Sequence, residues 1–222
     1  MKKKITALVP MRHSSERVPG KNYRDFDGKP LFYWVVKSLI DSKVFDQIVI
    51  DTDSDKIMEL SQNFFGNEVV LLERPENLRA GEIPMNDVLL NSINQLNSDF
   101  FFQTHGTNPL LNSETVKQAV NTFLENYPLY DSLFSVTKLH TRLWDGLSRP
   151  MNHNKNILLR TQDLPPVYEE NSCIYIFTKD TLVQKHNRIG DRPFLFEIEE
   201  LEAIDIDVEL DFQVAELLFK AQ

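Results

Sequence analysis

The chain has one cysteine, two tryptophans and seven glycines among its 222 residues. A single cysteine, Cys173, excludes an intrachain disulfide and a cysteine-rich metal centre. Its setting in the apolar run SCIYIF marks it as a buried thiol. No apolar run approaches the roughly 20 residues that cross a bilayer. The opening MKKKITALVP is basic, but its apolar part is too short for a signal peptide, so the expectation is a soluble cytoplasmic protein with no membrane partner. Positive charge is in deficit, with 24 Lys and Arg against 33 Asp and Glu and a net charge of −9. That balance argues against a protein that coats nucleic acid. It leaves room for a nucleotide, because a local loop acts over a Debye length of about 8–10 Å. There is no Walker pattern and no GxGxxG after the first apolar run, which weakens a dinucleotide-binding reading. Internal repeats and low-complexity stretches are also missing.

What is there is an alternation. KITALVP, QIVIDTD, EVVLLE, DFFFQTH, DSLFSVTKL and NSCIYIF read as strands, as do RPFLFEI and EAIDID. Between them PLFYWVVKSLID, SDKIMELSQNFF, MNDVLLNSINQLN, NSETVKQAVNTFLENY and TKDTLVQKH carry helical periodicity, with Pro30 in a first turn and Ser54 and Ser113 as N-caps. The last 15 residues, from Val208, read as a closing helix. Strands alternating with helices predict a three-layer α/β domain with a mostly parallel sheet, one domain over 1–222. Ligands on such sheets bind beyond the carboxyl ends of the strands, which gathers the loops after Val9, Ile50, Leu72 and Gln103 on one rim. The alternation fails from His140 to Asn171, a polar stretch long for a structureless loop, and this predicts a lid or a dimerisation arm.

Chemistry concentrates at the two ends. PMRHSSERVPGKN puts Arg12, Arg17 and Lys21 within ten residues. Arg12 can fork onto phosphate oxygens, Lys21 can act as a point charge, and Ser14, Ser15 and Gly20 leave backbone N–H groups accessible. The alternative is a solvated charged loop. Near the other end, Asp205 and Asp207 alternate with Ile204 and Ile206. In a strand both carboxylates share a face, where they repel unless a cation intervenes. Mg²⁺ takes one or two carboxylates plus substrate phosphates. The alternative is a polar strand end with Asp207 as the N-cap of the last helix.

These segments, in order, resemble the acylneuraminate (CMP-sialic acid) cytidylyltransferases. The family loop runs Arg-x-x-Ser-Lys-Gly-x-x-x-Lys-Asn. Arg12, Ser15, Lys21 and Asn22 match it, while Glu16 and Arg17 stand where the family has Lys and Gly. ERPENLRA matches at Arg74, Pro75 and Leu78. HGTNPLL is similar to Gln-x-Thr-Ser-Pro-Leu-Arg, with His105, Asn108 and Leu111 in the Gln, Ser and Arg slots. ENSCIYI keeps Asn171, Ile174 and Tyr175 of another motif, and AIDIDVELDFQVAE is close to the closing motif.

The resemblance implies a Rossmann-like nucleotide-diphospho-sugar transferase fold. It implies transfer of CMP from CTP to the anomeric hydroxyl of a 2-keto sugar acid by a homodimer. Arg12, Lys21 and Asp207 would be catalytic. Arg12, Ser15, Lys21, Asn22 and Arg74 would hold the nucleotide, and His105, Arg160 and Tyr175 the sugar. Asp205 and Asp207 would carry Mg²⁺. Taken alone, His105 reads as a structural residue, Tyr175 as core and His13 as pointing to solvent, while Trp34 and Trp144 read as packing residues. Arg142 and Arg149 share the irregular segment with Arg160. A different acceptor, such as an octulosonate, or a silent nucleotide-binding protein of the same fold, is the competing reading.

Overall fold

Short apolar runs flanked by turn residues have nowhere to bury both faces except the centre of a sheet, and they settle there. The computed structural model describes residues 3–221. Its strands are β1 (Ile5–Met11), β2 (Asp25–Phe26), β3 (Lys29–Pro30), β4 (Gln47–Thr52), β5 (Val70–Glu73), β6 (Phe100–Gln103), β7 (Ser132–Leu139), β8 (Val167–Thr178) and β9 (Pro193–Glu197). Its α-helices are α1 (Leu31–Ser42), α2 (Asp55–Phe65), α3 (Met85–Asn94), α4 (Ser113–Asn126), α5 (Lys179–Lys185) and α6 (Glu209–Lys220). Seven strands form one sheet in the order β5-β4-β1-β6-β8-β7-β9, and β2 and β3 make a small hairpin.

The pairs β1–β4, β4–β5, β1–β6 and β7–β9 are parallel, so the carboxyl ends of β1, β4, β5 and β6 share one rim. β8 runs antiparallel to both its neighbours, β6 and β7. Every residue of β1 is buried. Its alternate side chains feed two cores. Ile5, Ala7 and Val9 meet Phe32 and Val36 of α1 and Val120 and Phe123 of α4 on one face. Leu8 meets Leu89 and Ile93 of α3 and Leu182 of α5 on the other. Burying each such side chain contributes about 1.5–3 kcal/mol, and the period of two is what makes three layers.

A third, smaller cluster decides where the chemistry goes. Val18, Phe26, Leu31, Ile206, Phe212 and Ala215 are buried together. Val18 belongs to the basic loop, and Ile206 lies between the two aspartates. Their burial clamps the start of the chain to its end.

Several expectations change. EAIDID is not a strand: residues 204–207 run without a ladder partner into α6. In place of a ladder it has isolated hydrogen bonds, such as Ile206 N–H to Thr107 O at 3.0 Å, and the burial of Ile206. β8 begins at Val167, so the irregular segment shortens to 140–166, with one isolated bridge between Trp144 and Pro150. The alternating pattern of that strand's first half is hidden because its residues face solvent. Register with β7 shifts between Phe134 and Val136, where Ser172 takes φ 60° and the Ser135 hydroxyl donates to Asn171 Oδ1 at 2.5 Å. Ser54 caps α2 by accepting from Ile57 N–H, but Asn112, not Ser113, caps α4 by accepting from Thr115 N–H. Asp207 does not cap α6. Asp211 does that work, accepting the N–H groups of Asp207 and Val208 at 2.9 and 2.8 Å. Cys173 is buried, and burial pushes its thiol pKa upward. Trp34 packs on Phe219 and donates to Phe26 O, whereas Trp144 is half exposed with its edge to His153.

Candidate active site

The parallel rim opens into a cleft of about 650 Å³ lined by the basic loop, the loops after β5 and β6, and the segment before α6. The loop leaves β1 at Arg12 and turns at Gly20, whose φ of 66° suits glycine. A Cβ there would lie 2.8 Å from the Tyr23 ring. The turn presents Lys21 to the cleft and buries Asn22, whose Nδ2 donates to Arg12 O at 2.9 Å. The β6 loop comes close because residue 106 is glycine: a Cβ would meet Met11 Sδ at 2.7 Å.

The two charged ends of the sequence meet here. Arg17 Nη2 donates to Asp207 Oδ1 at 2.8 Å, and Lys21 Nζ lies 3.7 Å from the same oxygen. Lys21 also donates to Ile206 O, and it is largely buried. Asp205 is partly buried, and its Oδ1 has no hydrogen-bond partner among the described residues. Desolvation raises its pKa; the Thr107 hydroxyl and Lys21 oppose that, and Asp207 adds to it. Arg12 reaches across the mouth and donates to Gly81 O at 3.1 Å. Ser15 is on the wall, its hydroxyl accepting from Val18 N–H at 3.4 Å.

Other expected site residues are placed differently. Arg74 borders the cleft but is a buried strut. Its Nε donates to Asp51 Oδ1 at 2.6 Å and its Nη2 to Asp51 O at 3.2 Å, and Ser92 satisfies Oδ2 at 2.7 Å. Those two nitrogens are not available to a nucleotide. Tyr175 is core: it is fully buried, it donates to Glu170, and it does not line the cleft. Its partner Ser172, 3.2 Å away, holds the wall position instead. The side chain of Arg160 is exposed on the irregular segment, forked onto Asp163 at 2.7 and 3.0 Å, and does not reach the cleft of its own chain. His13 is exposed, as expected, and its Nδ1 lies 2.7 Å from the Ser54 hydroxyl. Leu111, in the family's arginine slot, is buried in the main core.

His105 lines the cleft, with its pKa lowered to about 4. Burial is the chief cause, followed by the cationic Arg188 and Lys21. It is therefore neutral at pH 7. Arg188 was missed in the sequence. Its guanidinium lies 3.6 Å over the Tyr175 ring and donates to Gln103 Oε1 at 2.6 Å. It has no carboxylate at ion-pair distance among the described residues. Only the polar run HNRIGD after α5 marked the place, and nothing local distinguishes one surface arginine from another.

A cleft with three cations on one wall and two carboxylates beneath them can hold a polyphosphate and a divalent ion together. Comparison with known proteins places the chain. Residues 6–216 match the family model described as Cytidylyltransferase. An N-acylneuraminate cytidylyltransferase A of Danio rerio is 28% identical over 96% of this chain, which spans 50% of that protein's length. A pseudaminic acid cytidylyltransferase of Campylobacter jejuni is 26% identical over 98% of this chain and 97% of its own. The solved structure of a CMP:2-keto-3-deoxy-manno-octonic acid synthetase complexed with CTP superposes with a TM-score of 0.72. It covers 98% of this chain and 99% of its own at 13% identity, a likeness of fold. With the family model spanning the sheet, the basic loop and the aspartate pair, the chain belongs to the cytidylyltransferase family.

Proposed function

We propose that the protein transfers CMP from CTP to the anomeric hydroxyl of a sialic-type 2-keto sugar acid. The observation that carries the reading is the convergence of Arg17 and Lys21 on Asp207 at the floor of the cleft. The hydroxyl oxygen attacks the α-phosphorus in line and loses its proton. The bond from that phosphorus to the bridging oxygen breaks, and pyrophosphate leaves. Such transfers depend on positioning and on stabilising the charge that develops. Arg12 and Lys21 hold the triphosphate, Lys21 at the α-phosphate, from a side chain already fixed by Ile206 O. Ser15 and Asn22 shape the nucleotide wall.

The residues fit Mg²⁺. Asp205 Oδ1 is a buried acceptor without a donor, and Asp207, close enough to Asp205 to raise its pKa, pairs with Arg17 and Lys21. Mg²⁺ takes one or two carboxylates together with substrate phosphates and water, so Asp207 and Asp205 would hold it. When bound, it neutralises phosphate charge and acidifies a hydroxyl or water beside it.

For the sugar acid, His105 offers a neutral hydrogen-bonding ring in the cleft lining, and Arg188, outside that lining but close enough to lower the His105 pKa, is a cation without a carboxylate partner among the described residues. Exposed Leu147, Met151, Ile157 and Leu158 on the 140–166 segment support a homodimer, with Arg160 acting at the partner's cleft. No helix among the described residues is long and apolar enough to cross a membrane. A need for CTP fits a cytoplasmic enzyme supplying activated sugar for cell-surface polysaccharide. The test is pyrophosphate release from CTP with N-acetylneuraminate, legionaminate, pseudaminate and 8-amino-octulosonate in turn. Release with one of them supports the reading and names the acceptor. Release with none, across several divalent metals, overturns it.

A further inference from the structure

Arg17 departs from the family loop, and it sits directly on the carboxylate that the preceding reading assigns to the metal. Its Nη2 is 2.8 Å from Asp207 Oδ1, with side chains 62% and 50% exposed. Lys21 Nζ lies 3.7 Å from that oxygen with only 14% of its side chain exposed, and is tied to Ile206 O as well. The two cations therefore differ in freedom. Lys21 is fixed in the floor, whereas Arg17 reaches in from the loop through one hydrogen bond. Mg²⁺ sits about 2.0–2.1 Å from its oxygen ligands, and a guanidinium at hydrogen-bond distance on the same oxygen competes with it by charge and by space.

We infer that Arg17 is an exchangeable counter-ion for Asp207. It neutralises the carboxylate in the free protein, yields it to the divalent ion that arrives with CTP, and then turns its fork to the triphosphate. This inference rests on the function proposed above. The exchange is feasible because the pair is half in water. Exposed ion pairs are weak, so the divalent ion displaces this one readily, while a phosphate offers the released guanidinium a stronger bidentate partner. Glu16, the adjacent departure, also lines the cleft and forms no ion pair among the described residues, so it does not hold Arg17 away from Asp207.

The test separates the two ligands. Mn²⁺ binding to the nucleotide-free protein is measured by electron paramagnetic resonance, and CTP binding by calorimetry, for wild type, Arg17→Ala and Arg17→Gln. The expected result is opposite signs: both variants bind Mn²⁺ about two- to fivefold more tightly, as loss of a weak exposed pair allows, and CTP about tenfold more weakly, as loss of a charge-assisted contact predicts. Mn²⁺ affinity that is unchanged or weakened overturns the exchange, as does CTP affinity that is unchanged. Asp207→Asn is the control for the underlying reading. If it leaves Mn²⁺ binding intact, or if wild type binds no CTP, the function proposed above fails; if both behave and the Arg17 variants do not, only the exchange fails.

Discussion

Two arginine–aspartate pairs of nearly equal length sit in opposite halves of the molecule. In the parallel half, Arg74 Nε and Asp51 Oδ1 are 2.6 Å apart, with side chains 1% and 2% exposed. In the irregular segment, Arg160 Nε and Asp163 Oδ2 are 2.7 Å apart, with side chains 73% and 41% exposed. Geometry alone ranks them equal, and burial separates them. The buried pair is a commitment: either charge without the other is stranded in a low dielectric. The exposed pair is a resting position that water replaces. The parallel half is therefore the rigid frame of the cleft, and the 140–166 segment, with its exposed leucines, is a surface still open to a partner.

The comparison breaks most visibly at Arg74. Arg74→Ala leaves the buried Asp51 of β4 without its cation, and urea denaturation should show a loss of about 3–5 kcal/mol. A loss below 1 kcal/mol would mean that water reaches Asp51, and that this half is less rigid than described.

Next comes Lys21→Ala, which spares the frame and removes the fixed cation of the cleft. Turnover in a pyrophosphate-release assay should fall about 100-fold or more, as for loss of one oriented donor to a developing charge, with the far-ultraviolet spectrum unchanged. Unaltered turnover removes the role given to it.

His105 sharpens the picture through pH. Its folded pKa of about 4 lies below the ordinary value of 6.5. The unfolded chain thus binds the proton first, and stability contributed by the neutral ring falls as pH drops through 6.5 toward 4. From pH 7.5 to pH 5 that contribution declines by about 2 kcal/mol. The urea midpoint of His105→Gln should fall less over that range than wild type. Parallel decline in both proteins would mean the ring is already solvated.

The smallest effect belongs to Arg160→Ala. Its exposed pair should contribute less than about 1 kcal/mol to the stability of the chain. If activity nevertheless falls, the arginine acts at a partner's cleft, and light scattering of wild type and Leu158→Lys should then show a dimer and its loss.

Much was legible from the residues alone. The short apolar runs in ITALVPM and QIVIDT and the helical spacing in LFYWVVKSLIDS set their own elements, and Ser54 set a cap, because each signal is local. The carboxyl rim followed from the order of those elements. Legibility failed where neighbours decide. Polar VYEEN joined β8 because β7 supplies its ladder. EAIDID lost its strand because no neighbouring strand pairs with it.

What the sequence by itself determined was an inventory: a three-layer α/β frame, cations near one end, aspartates near the other. Only the tertiary structure decided which charge meets which. Arg17 and Asp207 stand 190 positions apart, and they touch because Val18 and Ile206 are buried in one cluster. Likewise Tyr175 turned into the core and Arg188 came to lie over it, since a side chain's face depends on the register of strands it cannot specify alone.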